Sequence, residues 1–368
     1  MEPLKTYAGN ILSHSCSVRQ GDNVMIFAEG LEAKPLAVEL VDGAYALGAN
    51  PFVELVDTEI QLHVLRRCNA GQMETLGDYL LEKIRRMDVL IVVSALESPF
   101  VYHKVPAEKM SLFNRNFMQR CFFGHAVMNT RWIYLKYPTR SMALLSGMDQ
   151  PSFEDYYFSV CNLDYSGMSR KMDALVERMS RTDRVRIVGP GTDLSFSIKG
   201  VPTVKSDGKN GLPDGEVFTA PVKDSVQGTI SFNVPLFMRG TLHENIRLVV
   251  EGGRIVDATS SDTPELTRIL DTDEGSRYFG EFAFGLNPHI TSPMKDILFD
   301  EKMGGSIHMA VGNSYAMTDN GNHSVVHMDV VSLQTPGHGG GEVYLDDVLV
   351  RKDGRFVDAS LAALDALD

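Results

Sequence analysis

The sequence predicts an N-terminal α/β domain with a parallel, doubly wound sheet, followed by a β-rich α+β domain. In the first half, apolar strand-like runs alternate with amphipathic helical segments. From about residue 184 onward, short strands separated by Gly, Asp and Asn turns predominate. The chain of 368 residues is also longer than one ordinary domain. We therefore place the boundary near residue 183, which gives domains 1–183 and 184–368.

The strands of the first domain are predicted from apolar runs at 23–29, 51–57, 87–96 and 130–138. The run "MDVLIVVSAL" is continuous, as is typical of a parallel strand covered on both faces. Segments 34–48, 73–86 and 166–183 are predicted helices. The loop "GLEAK" after the first strand is not a G-x-G-x-x-G loop, so no dinucleotide site is predicted.

The second domain is predicted from turn signals between short alternating strands. "VVEGGRIV" and "VRKDGRFV" are strong hairpin signals, because Gly-Gly and Asp-Gly favour two-residue turns. One helix, 261–275, is expected to interrupt the strands.

The composition narrows the class of partner. A formal charge of −13 argues against nucleic acid and against anionic membranes, but it is compatible with metal cations. No apolar run approaches the ~20 residues that span a bilayer, and the N-terminus has no signal-peptide pattern. We therefore expect a cytoplasmic protein. The four cysteines lack C-x-x-C spacing and are expected to be reduced: Cys16, Cys68, Cys121 and Cys161.

The stretch "VVHMDVVSL" carries a histidine and an aspartate in an otherwise apolar strand. His327 and Asp329 are two residues apart, so their side chains leave the strand on the same side. The two groups either pair with each other or hold something between them.

Other polar side chains of the second half stand in strand-like or Gly-flanked settings. Glu216 begins an extended segment in "LPDGEVFTAP", and "LFDEKMGGSIHMAVGNSY" contains Glu301, His308 and Tyr315. Each has an ordinary structural explanation: a solvated loop acid, a surface charge, a core histidine and a packed aromatic. Glu281 is different, because its neighbours in "YFGEFAFGLNP" are aromatic and a lone carboxylate is costly to bury there.

Taken together, these carboxylates and imidazoles form a ligand set that suits Zn²⁺, Mn²⁺ or Co²⁺. A two-metal centre needs about this many ligands, with one carboxylate bridging ions ~3.5–4 Å apart. No cysteine belongs to the set, so a structural zinc cage is not predicted. The candidates span residues 216 to 329, and their spacing alone does not show that they converge.

The second half resembles the M29 family of metallo-aminopeptidases, the aminopeptidase T type. Five segments carry the resemblance over about the last 170 residues: "LPDGEVFTAP", "GTLHENIRLVVEGGRIVDA", "TDEGSRYFGEFAFGLNP", "LFDEKMGGSIHMAVGNSY" and "NHSVVHMD". The resemblance implies two co-catalytic divalent ions, with Glu281 as the bridging carboxylate. Glu301 would be a further ligand or the general base, and Tyr315 would stabilise the oxyanion. The positions that match the family's metal ligands are Glu216, Glu281, His308, His327 and Asp329.

The function that the resemblance implies is hydrolysis of the N-terminal residue of peptides or small amides with a free amino terminus. A homodimer is also implied. One alternative is a ring-cleaving non-haem Fe(II) dioxygenase of the same fold, for which a histidine is expected near Glu281. A hydrolase of another small amide and a non-catalytic binding protein are further alternatives.

Overall fold

The computed structural model describes residues 2–98 and 100–366. The chain forms two compact units: Met1–Asn162 with Gly208–Leu212, and Leu163–Asp207 with Pro213–Asp368. This division lies before the boundary predicted near residue 183. The difference arises because the helix Tyr165–Ser180 contacts strands Val204–Ser206 and Glu216–Thr219 of the second unit. Tertiary packing therefore assigns this helix to the unit that follows it.

The first unit alternates strands and helices. Its elements up to residue 162 are α1 (Glu2–Asn10), β1 (Asn23–Glu29), α2 (Lys34–Ala46), β2 (Asn50–Val56), α3 (Thr58–Arg67), α4 (Ala70–Ile84), β3 (Val89–Ser94), α5 (Ala107–Phe113), α6 (Val127–Asn129), β4 (Arg131–Lys136), α7 (Arg140–Leu145) and α8 (Gln150–Cys161). Segments Ile11–Ser15 and Asn114–Ala126 are π-helical, and Leu31–Ala33 is a 3₁₀ turn. Several helices begin at a side-chain cap, as at Asp57, Asn69 and Asp149, whose side chains accept hydrogen bonds from backbone N–H groups.

The sheet of the first unit has the order β2-β1-β3-β4, and all these pairs are parallel. The short strand Gly211–Leu212 extends it beside β4. The order changes direction at β1, which is the pattern of a doubly wound sheet. All four predicted strands of this domain are present, and the prediction of a parallel sheet is confirmed.

The second unit consists mainly of antiparallel strands. The elements after residue 162 are α9 (Tyr165–Ser180), β5 (Arg184–Gly189), β6 (Thr192–Ser197), β7 (Val204–Ser206), β8 (Gly211–Leu212, in the first unit), β9 (Glu216–Thr219), β10 (Gln227–Phe232), β11 (Leu236–Met238), β12 (Thr241–His243), β13 (Ile246–Glu251), β14 (Arg254–Thr259), α10 (Thr263–Leu270), β15 (Phe279–Gly285), α11 (Ile297–Asp300), β16 (Ser306–Gly312), β17 (His327–Leu333), β18 (Glu342–Leu345), β19 (Val348–Lys352) and β20 (Arg355–Phe356). Short 3₁₀ turns lie at Lys223–Ser225, Glu274–Arg277, Ala316–Thr318, Pro336–His338 and Ala362–Ala366.

Two larger sheets and the two-stranded sheet β11-β12 contain the strands of this unit. The first has the order β14-β13-β10-β6-β5-β18-β19-β20, and the second has the order β17-β16-β15-β9-β7. Phe282 of β15 packs edge-on against Phe196 of β6, with ring centroids 5.1 Å apart. Side chains alternate along a strand, so the residues before and after Phe282 point to the opposite side of the second sheet. The second sheet therefore has one aromatic face that packs against the first sheet.

Both hairpins predicted from sequence are present. Gly252 and Gly253 have positive φ (53° and 82°) between β13 and β14. Asp353 and Gly354, between β19 and β20, also have positive φ (50° and 79°). Positive φ at both central residues matches the twist of the paired strands. The predicted helix 261–275 is shorter in the structure: α10 ends at Leu270 and a 3₁₀ turn follows.

Two expectations from composition can be compared with the structure. Among residues 2–98 and 100–366, no helix has the length and apolar character needed to cross a bilayer. The four cysteines are buried and none is in a disulfide.

Gly312 provides a test of the packing beside β17. Its φ is +103°, and a Cβ there would lie 2.2 Å from the carbonyl oxygen of Val326. Gly321 also has a positive φ (+79°), but a Cβ there would meet nothing within 4 Å. We expect Gly312→Ala to lower the free energy of unfolding by about 1 kcal/mol more than Gly321→Ala, since only the former adds a clash to the backbone strain. Chemical denaturation measures both, and equal losses would contradict this packing.

Candidate metal centre

Register places four of the predicted ligands on one face of the sheet β17-β16-β15-β9-β7. Glu281, Ala310 and Asp329 are paired positions on β15, β16 and β17, so their side chains point to the same side. His308 and His327 come two residues before Ala310 and Asp329 on their own strands and therefore share that face. This is the face opposite Phe282.

Glu216 joins the same face from β9. It pairs with Gly285, which lies four residues after Glu281 on β15 and so faces the same way. The residues of β15 that follow Glu281 on this face are small: Ala283 pairs with His308, and Gly285 pairs with Glu216. Glycine and alanine leave space above the sheet that larger side chains would fill. The sequence thus combines a packed aromatic face with an open polar face on the same strands.

The donor atoms converge closely. The Nε2 atom of His308 lies 3.5 Å from Glu281 Oε1 and 3.4 Å from Glu216 Oε2. The Nε2 atom of His327 lies 3.4 Å from both Glu281 Oε2 and Asp329 Oδ1. These distances are long for hydrogen bonds. They match the separation of about 3.4 Å between two ligand atoms that each lie ~2.1 Å from a tetrahedral ion.

Backbone contacts fix the orientation of both imidazoles. His308 Nδ1 lies 3.1 Å from the carbonyl oxygen of Glu301, and His327 Nδ1 lies 2.8 Å from the carbonyl oxygen of Asn313. A carbonyl oxygen only accepts, so Nδ1 carries the proton in each ring. The Nε2 lone pair of a neutral ring then points into the cluster. This arrangement is the usual outer-shell support of a metal-binding histidine.

Several buried polar atoms in the cluster make no hydrogen bond. They are Glu216 Oε2, His327 Nε2 and Asp329 Oδ1. Leaving buried polar atoms without a partner costs free energy, so such atoms call for a partner that the protein itself does not supply. All three are oxygen or nitrogen donors of the kind that divalent ions bind. The residues present therefore fit a metal centre.

Three groups of donors among the described residues have ligand atoms within 4.8 Å of one another. The groups are Glu216, Glu281 and His308; Glu281, His327 and Asp329; and Glu301, His308 and Asp329. The first two share Glu281, whose two oxygens face different histidines. This is the geometry that a bridging carboxylate needs.

Glu301 and Tyr315 approach the cluster from outside the sheet. Glu301 follows the short helix α11 and is only partly buried. Tyr315 is 44% exposed, and its ring centroid lies 4.7 Å from that of His327. Because burial of the hydroxyl and the charges of Glu281 and Asp329 disfavour ionisation, the pKa of Tyr315 is raised well above its usual value. The phenol is therefore held as a proton donor.

The charges in the cluster shift each other's ionisation. Burial raises the pKa of Glu216 to about 8, against the pull of Lys302 and His308. Burial also opposes ionisation of Asp329, but the adjacent His327 holds its pKa at about 2. The carboxylates raise the pKa of His308 to about 9 although burial acts the other way. The cluster thus attracts positive charge strongly.

The expectation that Glu301 is a surface charge when taken alone does not fit its surroundings. Asp300 and Lys302 on either side are buried, and Asp300 accepts a hydrogen bond from the backbone N–H of Met294. Burial raises the pKa of Asp300 to about 8. Sequence analysis also missed Lys302, whose Nζ contacts Glu216 and Glu301. Three consecutive charged residues in a turn are typical of a solvent-exposed segment. Only the apolar "ILF" before them indicated burial.

Comparison with known proteins identifies the family. The model of the thermophilic metalloprotease (M29) family matches residues 1–356. The chain therefore belongs to this family of metal-dependent peptidases, and the resemblance seen in the sequence is confirmed. Membership implies a divalent metal ion.

A curated relative supports this assignment over part of the chain. Aminopeptidase AmpS of Bacillus subtilis (strain 168) is 33% identical over 181 residues, which cover 45% of this chain and 42% of AmpS. The matched region thus spans less than half the length of that relative.

Solved structures confirm the predicted fold class over nearly the full length. Wild-type AmpT from Thermus thermophilus has a TM-score of 0.80 at 23% identity and covers 97% of this chain and 99% of its own. A 2,5-dihydroxypyridine dioxygenase from Pseudomonas putida KT2440 has a TM-score of 0.64 at 13% identity, covering 98% of each chain. At these identities both similarities show the fold alone.

Glu281 is the residue whose replacement tests the centre most directly. Glu281→Gln keeps the shape but removes the charge that both ion positions would share. We expect divalent-ion affinity to fall at least 100-fold, beyond the about 10–100-fold typical of outer-shell changes. Calorimetric titration of the ion-free protein with Zn²⁺ or Mn²⁺ measures this. Asp300→Asn is the matched control, since it makes the same carboxyl-to-amide change at a buried residue outside the ligand set, and an equal loss there would contradict the assignment.

Proposed function

We propose that the protein is a metallo-aminopeptidase that hydrolyses the N-terminal residue of peptides at a two-metal centre. The observation that carries this proposal is Glu281, whose Oε1 and Oε2 face different histidines. A shared carboxylate with a separate imidazole on each side is the arrangement of a two-metal site. The family and the AmpS relative support the reaction class.

Charge supports two ions rather than one. When the ligands are deprotonated, as metal binding requires, the four carboxylates of the donor groups and the ammonium group of Lys302 have a formal charge of −3. One divalent ion leaves the cluster negative, and buried like charges are costly. A second divalent ion removes that excess. Zinc, cobalt and manganese all suit a set of carboxylates and imidazoles, so the native ion stays a prediction.

In the proposed reaction the ions would polarise the scissile carbonyl and lower the pKa of the attacking water. The residues that would hold them are Glu216, Glu281, His308, His327 and Asp329. Glu301 takes the proton of the attacking water and returns it to the leaving amine. Tyr315 donates its hydroxyl proton in a hydrogen bond to the oxygen that becomes negative. The free α-amine of the substrate would bind one of the ions or a nearby carboxylate, which selects peptide N-termini.

The second candidate is a single-iron dioxygenase, which the fold similarity to the Pseudomonas enzyme brings into consideration. A non-haem iron site of that type uses two histidines and one carboxylate on one ion. None of the three donor groups among the described residues contains both His308 and His327. The carboxylate-rich set therefore favours the hydrolase. A cytoplasmic location and a homodimer stay predictions.

The proposed function is tested by metal-dependent hydrolysis of the bond that follows an N-terminal residue with a free α-amine. We expect the protein, stripped by chelator and reloaded with two equivalents of Zn²⁺, Co²⁺ or Mn²⁺, to release leucine from leucyl peptides and leucyl p-nitroanilide. N-acetylated substrates are the control and should lose at least 100-fold in kcat/KM, because the acetylated nitrogen is no longer a free amine that can bind an ion or a carboxylate. Mass spectrometry of the released products measures the hydrolysis of both kinds of substrate. Equal turnover of acetylated peptides, or oxygen-dependent cleavage of an aromatic diol with one iron per chain, would contradict the proposal.

A further inference from the structure

Lys302 is enclosed among carboxylates in the second unit. Its Nζ lies 2.5 Å from Glu216 Oε1, 2.9 Å from Glu301 Oε1 and 3.7 Å from Asp214 Oδ1. The residue is 7% exposed. Lysine is rarely buried unless it is paired, and here it is paired with three acids at once. Such a placement is specific to this site and is not that of a surface ion pair.

The backbone around Lys302 is fixed by Asn287. The Lys302 carbonyl accepts a hydrogen bond of 2.8 Å from the backbone N–H of Asn287. The side-chain amide of Asn287 donates to the carbonyl of Asp214 at 3.0 Å. Asn287 therefore holds the backbones of Lys302 and of its acidic partner Asp214 close together. The ammonium group is positioned before any ligand binds.

The two carboxylate oxygens of Glu216 have different contacts, because only one of them lies against Lys302. Oε1 lies against the ammonium group, whereas Oε2 faces His308 and makes no hydrogen bond. One oxygen is thus left free for an ion. The lysine selects which one.

The carboxylate of Glu301 also contacts Lys302, but it lies where a further cation could bind. Its donor atoms lie within 4.8 Å of those of His308 and Asp329, which makes this group a possible third position for a cation. Lys302 already provides a positive charge there and engages Oε1 of Glu301. A monovalent group built into the protein thus competes with a divalent ion for this carboxylate.

We propose that Lys302 is a positioning residue that keeps Glu301 as a proton acceptor and limits the centre to two divalent ions. The proposal rests on the proposed function, because it assigns the role of Glu301 in the same hydrolysis. Lysine suits this task because its ammonium group is a compact point charge, and here that charge is held between Glu216 and Glu301. It also explains how a site with four carboxylates avoids binding a further ion.

Lys302→Met tests the proposal, because methionine has nearly the same length without the charge. We expect the ion-free variant, titrated calorimetrically with Mn²⁺, to bind a third equivalent or to bind at least tenfold more tightly, since the cluster has become more negative. With leucyl p-nitroanilide, kcat should fall about 100-fold or more, the range of a lost proton acceptor, while KM changes less than threefold. Lys302→Arg, which keeps the charge, should restore two ions and part of kcat.

The matched control is Lys205→Met, which removes a lysine of the same unit that pairs with Asp173 instead. It should leave ion binding and kcat unchanged. If Lys302→Met does not fold by circular dichroism, Lys302→Gln replaces it. A folded neutral variant with two ions and wild-type kcat would overturn the proposal, as would one that loses its ions. If wild-type protein binds two ions but hydrolyses no free N-terminus, the proposed function fails, whereas the titration still decides whether Lys302 limits ion number.

Discussion

Negative charge gathered on one buried face of a β-sheet is the constraint on which the rest of the second unit depends. Three carboxylates, those of Glu216, Glu281 and Asp329, meet two imidazoles there at distances of 3.4–3.5 Å between the closest atoms. Buried like charges repel strongly in a medium of low dielectric constant. Lys302 offsets part of that repulsion, and cations from solution would offset the rest. The protein maintains the arrangement because the strands that carry it are packed on their other face.

The packing that maintains the site comes from the alternation of side chains along β15. Phe282 and Phe284 face away from the cluster, and Phe282 packs on Phe196 of the neighbouring sheet. Glu281 projects from the same strand in the opposite direction. A strand that is anchored by aromatic rings on one side can hold a carboxylate rigidly on the other. Positional precision of this kind is what metal coordination requires.

The sequence predicted those parts of the site that depend on local periodicity. His327 and Asp329 were paired because a strand repeats every two residues, and Glu281 was singled out by its aromatic neighbours. The alignment of Glu281 with Asp329 across β16 depends on strand register and on an irregularity beside Phe279, which local patterns do not specify. Lys302 was missed because a charged turn buried by distant residues has the sequence of an exposed one.

Anomalous diffraction from crystals grown with Mn²⁺ would show directly how many ions the cluster binds and where they lie. We expect two anomalous peaks per chain, ~3.5–4 Å apart on either side of Glu281, with His308 beside one and His327 beside the other. A single peak bound by both histidines would contradict it. That result would also remove the basis for a two-metal hydrolase.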